Sequence, residues 1–173
     1  MRRCLCLDTE TTGLSRARDR LCEVAAIEFD PVTFAPVSQL HLYLNPECPV
    51  AWSAQAVHGL SAAFLADKPT FAEAAPELTD YLRGADLYIH NASFDTGFLN
   101  AELLRNDCPT LDALDCTVTC TLKMARRTLG LRHNRLDDLC RYYGISLADR
   151  TLHGALIDTR LLLEVLRHLR EGL

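Results

Sequence analysis

Hydrophobic and polar positions change their period partway along the chain, and that change predicts the architecture. Runs rich in Val, Ile, Leu, Phe and Tyr at 3–7, 22–29 and 37–44 are punctuated by Pro31, Pro36 and Pro46, which predicts three strands. The short connections between them favour antiparallel neighbours. Apolar residues then recur at helical spacing through Phe71, Ala74, Ala75, Leu78 and Leu82. Thr70 is placed as the N-cap of this helix, with Glu73 three residues later and Gly84 closing it. Residues 86–90 (DLYIH) read as a short buried strand, followed by a helix over 93–105 and a last strand over 113–116. Helices are predicted over 117–128, 135–143 and 154–169, the last having leucines on more than one face. Strands first, then strands alternating with helices, predict an α/β fold. Its mixed sheet has three antiparallel strands and then parallel ones, with helices on both faces.

With 173 residues the expectation is a single domain, 1–173, burying roughly two-thirds of its unfolded surface. No apolar run is long enough to span a bilayer, and acids follow too soon after MRRCLCL for a secretory leader to develop. A cytoplasmic, membrane-free protein is expected. The eight cysteines show no CxxC pair and no zinc-ligand spacing, which predicts small buried apolar residues rather than disulfides or a zinc centre. A net charge of −5 argues against a broad basic face that coats nucleic acid. It leaves room for an enzyme that grips one strand end through a few phosphates.

Three segments carry chemistry. In CLDTETTGL, a strand continued through Thr9 would project Asp8 and Glu10 together from its carboxyl end. Two adjacent acids repel unless a cation joins them, and hard oxygen donors favour Mg²⁺ or Mn²⁺ over Zn²⁺. In HNASFD, which follows a predicted strand, Asp95 falls in the first turn of a helix, facing the positive end of its dipole. In LHGALID, Gly154 is expected to let the backbone turn after His153, which leaves Asp158 about one turn into the last helix.

These three segments, in this order, resemble the DEDDh family of 3′–5′ exonucleases, most closely its proofreading epsilon branch, over residues 4–165. Five residues from histidine to the last acid is the spacing of the histidine class. The resemblance implies a ribonuclease-H-like fold and two divalent cations, Mg²⁺ or Mn²⁺, about 3.5–4 Å apart, clamping an in-line phosphoryl displacement. It implies that Asp8 bridges both ions and that Glu10 and Asp158 complete the site of the nucleophilic water. Asp95 would serve the second ion, and His153 would be the general base, releasing nucleoside 5′-monophosphates. Activity should then rise as the imidazole loses its proton.

The resemblance also implies a grip on the terminal nucleotide by the backbone near Thr9, Thr11 and Gly13, with Leu14 as an apolar wedge between the last two bases. His58 in AVHGL would contact the same nucleotide, with Asn91 and Phe94 nearby. The implied partners are the 3′ end of single-stranded DNA, with RNA possible, and a replicative DNA polymerase subunit; nothing requires more than a monomer. Ser53 departs from the pattern, since epsilon subunits carry an acid there that helps hold the nucleotide. Epsilon subunits also have a carboxyl-terminal tail that tethers them to the polymerase, whereas this sequence ends at Leu173, as a piece of such a protein or a stand-alone relative would. Residues 39–43 (QLHLY) look superficially like a sliding-clamp-binding peptide but lie inside a predicted strand. The alternatives are a stand-alone exoribonuclease or oligonucleotide-degrading enzyme, and an inactive module that docks on a polymerase.

Overall fold

β1 (Cys4–Thr11) is the middle strand of a five-stranded sheet in the computed structural model, which describes residues 2–148 and 150–171. The order is β3 (Pro36–Tyr43), β2 (Leu21–Phe29), β1, β4 (Asp86–Ile89), β5 (Thr117–Cys120). β2 pairs antiparallel with both β1 and β3, whereas β4 runs parallel to β1 and to β5. This is the mixed sheet that the change of period predicts. The helices are α1 (Trp52–His58), α2 (Ala62–Leu65), α3 (Phe71–Leu82), α4 (Ala92–Arg105), α5 (Thr121–Leu129), α6 (Leu136–Tyr143) and α7 (Ala155–Glu171).

The pleat of β1 divides the interior in two. Leu5 and Leu7 face one way, into a cluster with Leu78 and Leu82 of α3 and Phe98, Leu99 and Leu103 of α4. Cys4 and Cys6 face the other way, against Leu139 and Cys140 of α6 and Leu162, Val165 and Leu166 of α7. Helices therefore cover both faces. Phe98 is fully buried, so Phe98→Ala should cost about 3–5 kcal/mol of stability, measured as a lowered denaturant midpoint. All eight cysteines are unpaired, four buried and four partly so. No helix among the described residues is long and apolar enough to cross a membrane.

Element boundaries differ from the expected ones where local chemistry competes. β1 continues to Thr11, four residues past the predicted end, because residues 8–11 stay in register with β2. The last strand is not 113–116 but Thr117–Cys120, and the following helix starts at Thr121. Asp115, in the left-handed region at φ 59°, breaks the earlier stretch, while Thr117, Val118 and Thr119 are β-branched and pair with β4. α1 and α2 were not predicted: α1 buries only His58, so no amphipathic period marks it. Thr70 and Glu73 do form the predicted reciprocal cap on α3, and Gly84 is left-handed at φ 69°. Residues 39–43 are paired along β2, as the strand reading required.

Candidate active site

The chain leaves β1 for β2 and β3 on one side of the sheet and returns to β4 and β5 on the other. Crevices at such a reversal, beyond the carboxyl ends of the parallel strands, are where open α/β sheets bind ligands. Here the crevice is a cavity of about 670 Å³.

Its acids come from three elements. Asp8 and Glu10 extend the row begun by Cys4 and Cys6, so they emerge beside the amino terminus of α7. Thr9 extends the opposite row and donates to Asp95 Oδ1 at 2.8 Å from its hydroxyl. Asp95 is buried in the first turn of α4, whose cap, Asn91, is left-handed at φ 61°. Asp158 lies in the first turn of α7, its N–H donating to the Gly154 carbonyl. Gly154 itself is not left-handed, and a Cβ there would meet its neighbours at ordinary distances, so the turn after His153 does not depend on glycine as the sequence had suggested. The loop is held instead by the His153 N–H donating to the Val57 carbonyl at the end of α1.

Burial raises the pKa values of three of these carboxyls, and crowding adds to it at Asp8 and Glu10. Burial pushes Asp8 well above the usual carboxylate range, and Asp95, Glu10, Asp158 and Glu23 push it further. Glu10 is pushed up to about 8, by burial first and then by Asp158, Glu23 and Asp95, with Arg150 opposing. Burial takes Asp95 to about 7 even though the Thr9 hydroxyl favours its charged form. A pocket that resists ionising its own acids is one that a hard cation would stabilise. One ligand atom from each of Glu10, His153 and Asp158 lies within 4.8 Å of the others. This set of carboxylate oxygens and one imidazole fits a divalent cation.

Three residues that were not among the expected site residues shape the same site. Glu23 lies opposite Glu10 on β2, accepts the Ala155 N–H of α7 at 3.0 Å and pairs with His41 at 2.7 Å. Its only signal in the sequence was an acid early in an apolar strand run. Arg150 reaches in from the loop before α7. Its Nε lies 2.6 Å from Asp158 Oδ1, an ionic contact misaligned for hydrogen bonding, and its Nη2 donates to Asp158 Oδ2 at 2.8 Å. The same Nη2 is 2.5 Å from His153 Nδ1, which also lies 3.1 Å from Asp158 Oδ2. A ring nitrogen that accepts from Arg150 cannot donate to Asp158, so the neighbour that wins sets the tautomer. His90, partly buried and with its pKa lowered by desolvation, bonds Thr121 and the Asn134 carbonyl and so ties the end of β4 to the α5–α6 connection.

Of the residues expected to grip substrate, Thr9, Asn91 and Phe94 line the cavity. Phe94 packs against Phe98 of the core, ring centroids 5.0 Å apart. Thr11, Gly13, Leu14 and His58 are not among the described residues of its wall. Thr11 spends its hydroxyl on the Gly13 carbonyl at 2.6 Å, and a Cβ on Gly13 would strike the Asp19 carboxylate at 2.5 Å. That loop closes on itself. His58 is buried, donating from Nε2 to the Thr11 carbonyl and accepting the Leu60 N–H at Nδ1, so both ring nitrogens are engaged by backbone. Leu14, 84% exposed, stands clear on the same loop.

Comparison with known proteins agrees with this geometry. The exonuclease family RNase T matches residues 5–166. The DNA polymerase III subunit epsilon of Escherichia coli (strain K12) is 44% identical over 166 residues, covering 92% of this chain and 68% of that protein. Among solved structures, exonuclease I from Methylocaldum szegediense superposes with a TM-score of 0.86 at 22% identity, covering 99% of this chain. This chain spans 41% of that one. Exonuclease X, solved with 5′-overhanging duplex DNA, superposes with a TM-score of 0.72 at 24% identity, covering 97% and 91% of the two chains. These likenesses place the mixed sheet in the ribonuclease-H-like fold of the exonucleases. The matched region contains the sheet and every acid-bearing segment, and the chain belongs to the exonuclease family, as a 3′–5′ exonuclease related to the DNA polymerase III epsilon subunits.

Proposed function

We propose that the chain removes nucleotides one at a time from the 3′ end of single-stranded or frayed DNA, as the proofreading activity of a replicative polymerase in the cytoplasm. One observation carries this reading. The cavity with the acidic floor is also lined by Arg126, Arg132, His133 and Arg135, all exposed, on an otherwise acidic chain. Carboxylates at the bottom and cations at the rim suit a polyanion whose terminal phosphodiester reaches the floor while its earlier phosphates meet the rim. Phe94 supplies an apolar face at which any base can stack, so removal need not depend on sequence.

Asp8, Glu10, Asp95 and Asp158 would hold two divalent ions, which when bound would supply Lewis acidity and a more acidic water. His153, 46% exposed at the mouth, would take the proton of the attacking water. Thr9 orients Asp95 and favours its ionised form through its hydroxyl. A mispaired end is removed faster because it frays more readily, without any reading of the base.

The test uses end-labelled single-stranded, paired and mismatched DNA, and RNA of equal length, with Mn²⁺. Mononucleotides should leave the 3′ end, faster from single-stranded and mismatched DNA than from paired DNA. Faster loss from RNA would favour an exoribonuclease, and no release from any oligomer would leave only a docking module. Replacing Arg126, Arg132 and Arg135 with Gln should weaken single-stranded DNA binding. The salt dependence should become shallower by about 0.7 log units per decade of salt for each phosphate that is no longer neutralised, read by fluorescence anisotropy in chelator. Hydrolysis of a mononucleotide aryl ester, which has no upstream phosphates, should be unchanged in that variant.

A further inference from the structure

Arg150 is used by none of the chemistry above, yet its side chain is only 6% exposed at the centre of the site. Its fork covers both oxygens of Asp158, at 2.6 and 2.8 Å, so the carboxylate meant for a divalent ion already faces a cation. The same guanidinium donates to His153 Nδ1 and, through Nη1, contacts Asp137 of α6. Asp137 is 32% exposed and faces the same cavity, so it is a second anchor a short swing away from the acidic floor.

We propose that Arg150 is an internal counter-cation: it neutralises Asp158 in the metal-free protein and is displaced onto Asp137 when a divalent ion binds. A guanidinium and a divalent ion cannot share one carboxylate face without strong repulsion in a half-buried pocket. While Arg150 donates to Nδ1, the imidazole carries its proton on Nε2 and has no lone pair there to accept one. Once Arg150 departs, the imidazole changes tautomer by exchange with solvent: Nε2 gives up its proton, Nδ1 takes one and donates it in a hydrogen bond to Asp158, and Nε2 is free to accept. Metal loading and release of the base are thereby one event, and Arg150 is a positioning residue rather than a catalytic one. The inference rests on the metal-site reading of the carboxylates.

Titration with Mn²⁺ alone, followed by calorimetry and by the spin resonance of free Mn²⁺, tests it. Arg150→Met should bind Mn²⁺ about tenfold more tightly than the wild type and melt lower without metal, while Arg150→Lys should restore much of the metal-free stability. A merely structural arginine would give the opposite sign, weaker Mn²⁺ binding on removal, and that result or an unchanged affinity overturns the proposal. In the unsubstituted protein, Mg²⁺ should shift the Arg150 Nε–H resonance, assigned by its loss in Arg150→Lys; an unmoved signal at saturating Mg²⁺ also overturns it. If the unsubstituted protein bound no Mn²⁺ at all, the metal-site reading would fall first and this inference with it. Tight binding without the Arg150 effects would sink the inference alone.

Discussion

Asp8→Ala is expected to lose divalent-ion binding and nearly all turnover, whereas His153→Ala is expected to lose most turnover and leave ion binding nearly intact. Asp8 is the acid that Asp95, Glu10, Asp158 and Glu23 all crowd, so its removal takes away the centre of the donor set. The loss of activity should be about 10⁴-fold, the scale of several kcal/mol of charge stabilisation at the reacting phosphate. His153 stands at the mouth of the site, 46% exposed, where it can meet a water. A positioned base contributes about 10²–10⁴-fold, which is the loss expected for His153→Ala. Because one nitrogen of His153 could itself reach an ion shared with Glu10 and Asp158, the calorimetric arm decides its role. If His153→Ala binds Mn²⁺ as the unsubstituted protein does and loses turnover on that scale, the histidine is the base. A variant that loses the ion as well makes it a ligand, and one with near-normal turnover has neither role.

Metal-free protein should lose stability as pH rises from about 4.5 to about 8, and Mg²⁺ or Mn²⁺ should restore it. The ordinary value for a glutamate is 4.5, and Glu10 in the folded chain is pushed to about 8, with Asp95 at about 7 and Asp8 also raised. Across that window the folded state holds protons that the unfolded chain has already released. Stability is therefore greatest below the unfolded values and falls until the folded carboxyls ionise. The total loss is on the order of a few kcal/mol, since one pKa unit corresponds to about 1.4 kcal/mol and Arg150 offsets part of the repulsion. A bound divalent ion favours the ionised acids and adds about 2.7 kcal/mol at a concentration 100 times its Kd. In a domain of this size that is a rise of roughly 5–10 °C in Tm, larger at pH 8 than at pH 5. A melting temperature independent of pH in chelator would mean that the acids do not share one buried field.

The mixed sheet could be read in advance because its signals are local. Apolar runs between prolines made β2 and β3, helical spacing made α3 and α7, and the Thr70–Glu73 cap formed as the spacing required. Errors fell where burial did not write a period. α1 buries one side chain, and the strand at Thr117–Cys120 is partly exposed throughout, so neither stood out from its neighbours. The candidate site divides in the same way. Asp8, Glu10, Asp95, His153 and Asp158 were legible because each sits in a short segment with a fixed offset to a strand end or a helix start, and all of them line one cavity.

Of the residues expected to grip the strand, Thr11, Gly13, Leu14 and His58 do not line the cavity, for a physical reason. The Thr11 hydroxyl, the Gly13 carbonyl and both ring nitrogens of His58 are engaged by neighbouring protein groups around the loop after β1. Which partner a hydroxyl or an imidazole takes is a competition between backbone and ligand, and only three-dimensional distances settle it.

The amino-acid sequence alone determined the order of the strands and longer helices, the two faces of β1 and the identity of the acids, because these follow from residue type and from spacings of two, four and five. Tertiary structure decided what those acids face. Glu23 from the second strand, Arg150 from the last loop and the arginines of the α5–α6 connection reach the cavity only when the sheet reverses at β1. Charges far apart in the chain act on one another through space, at distances that no local pattern encodes.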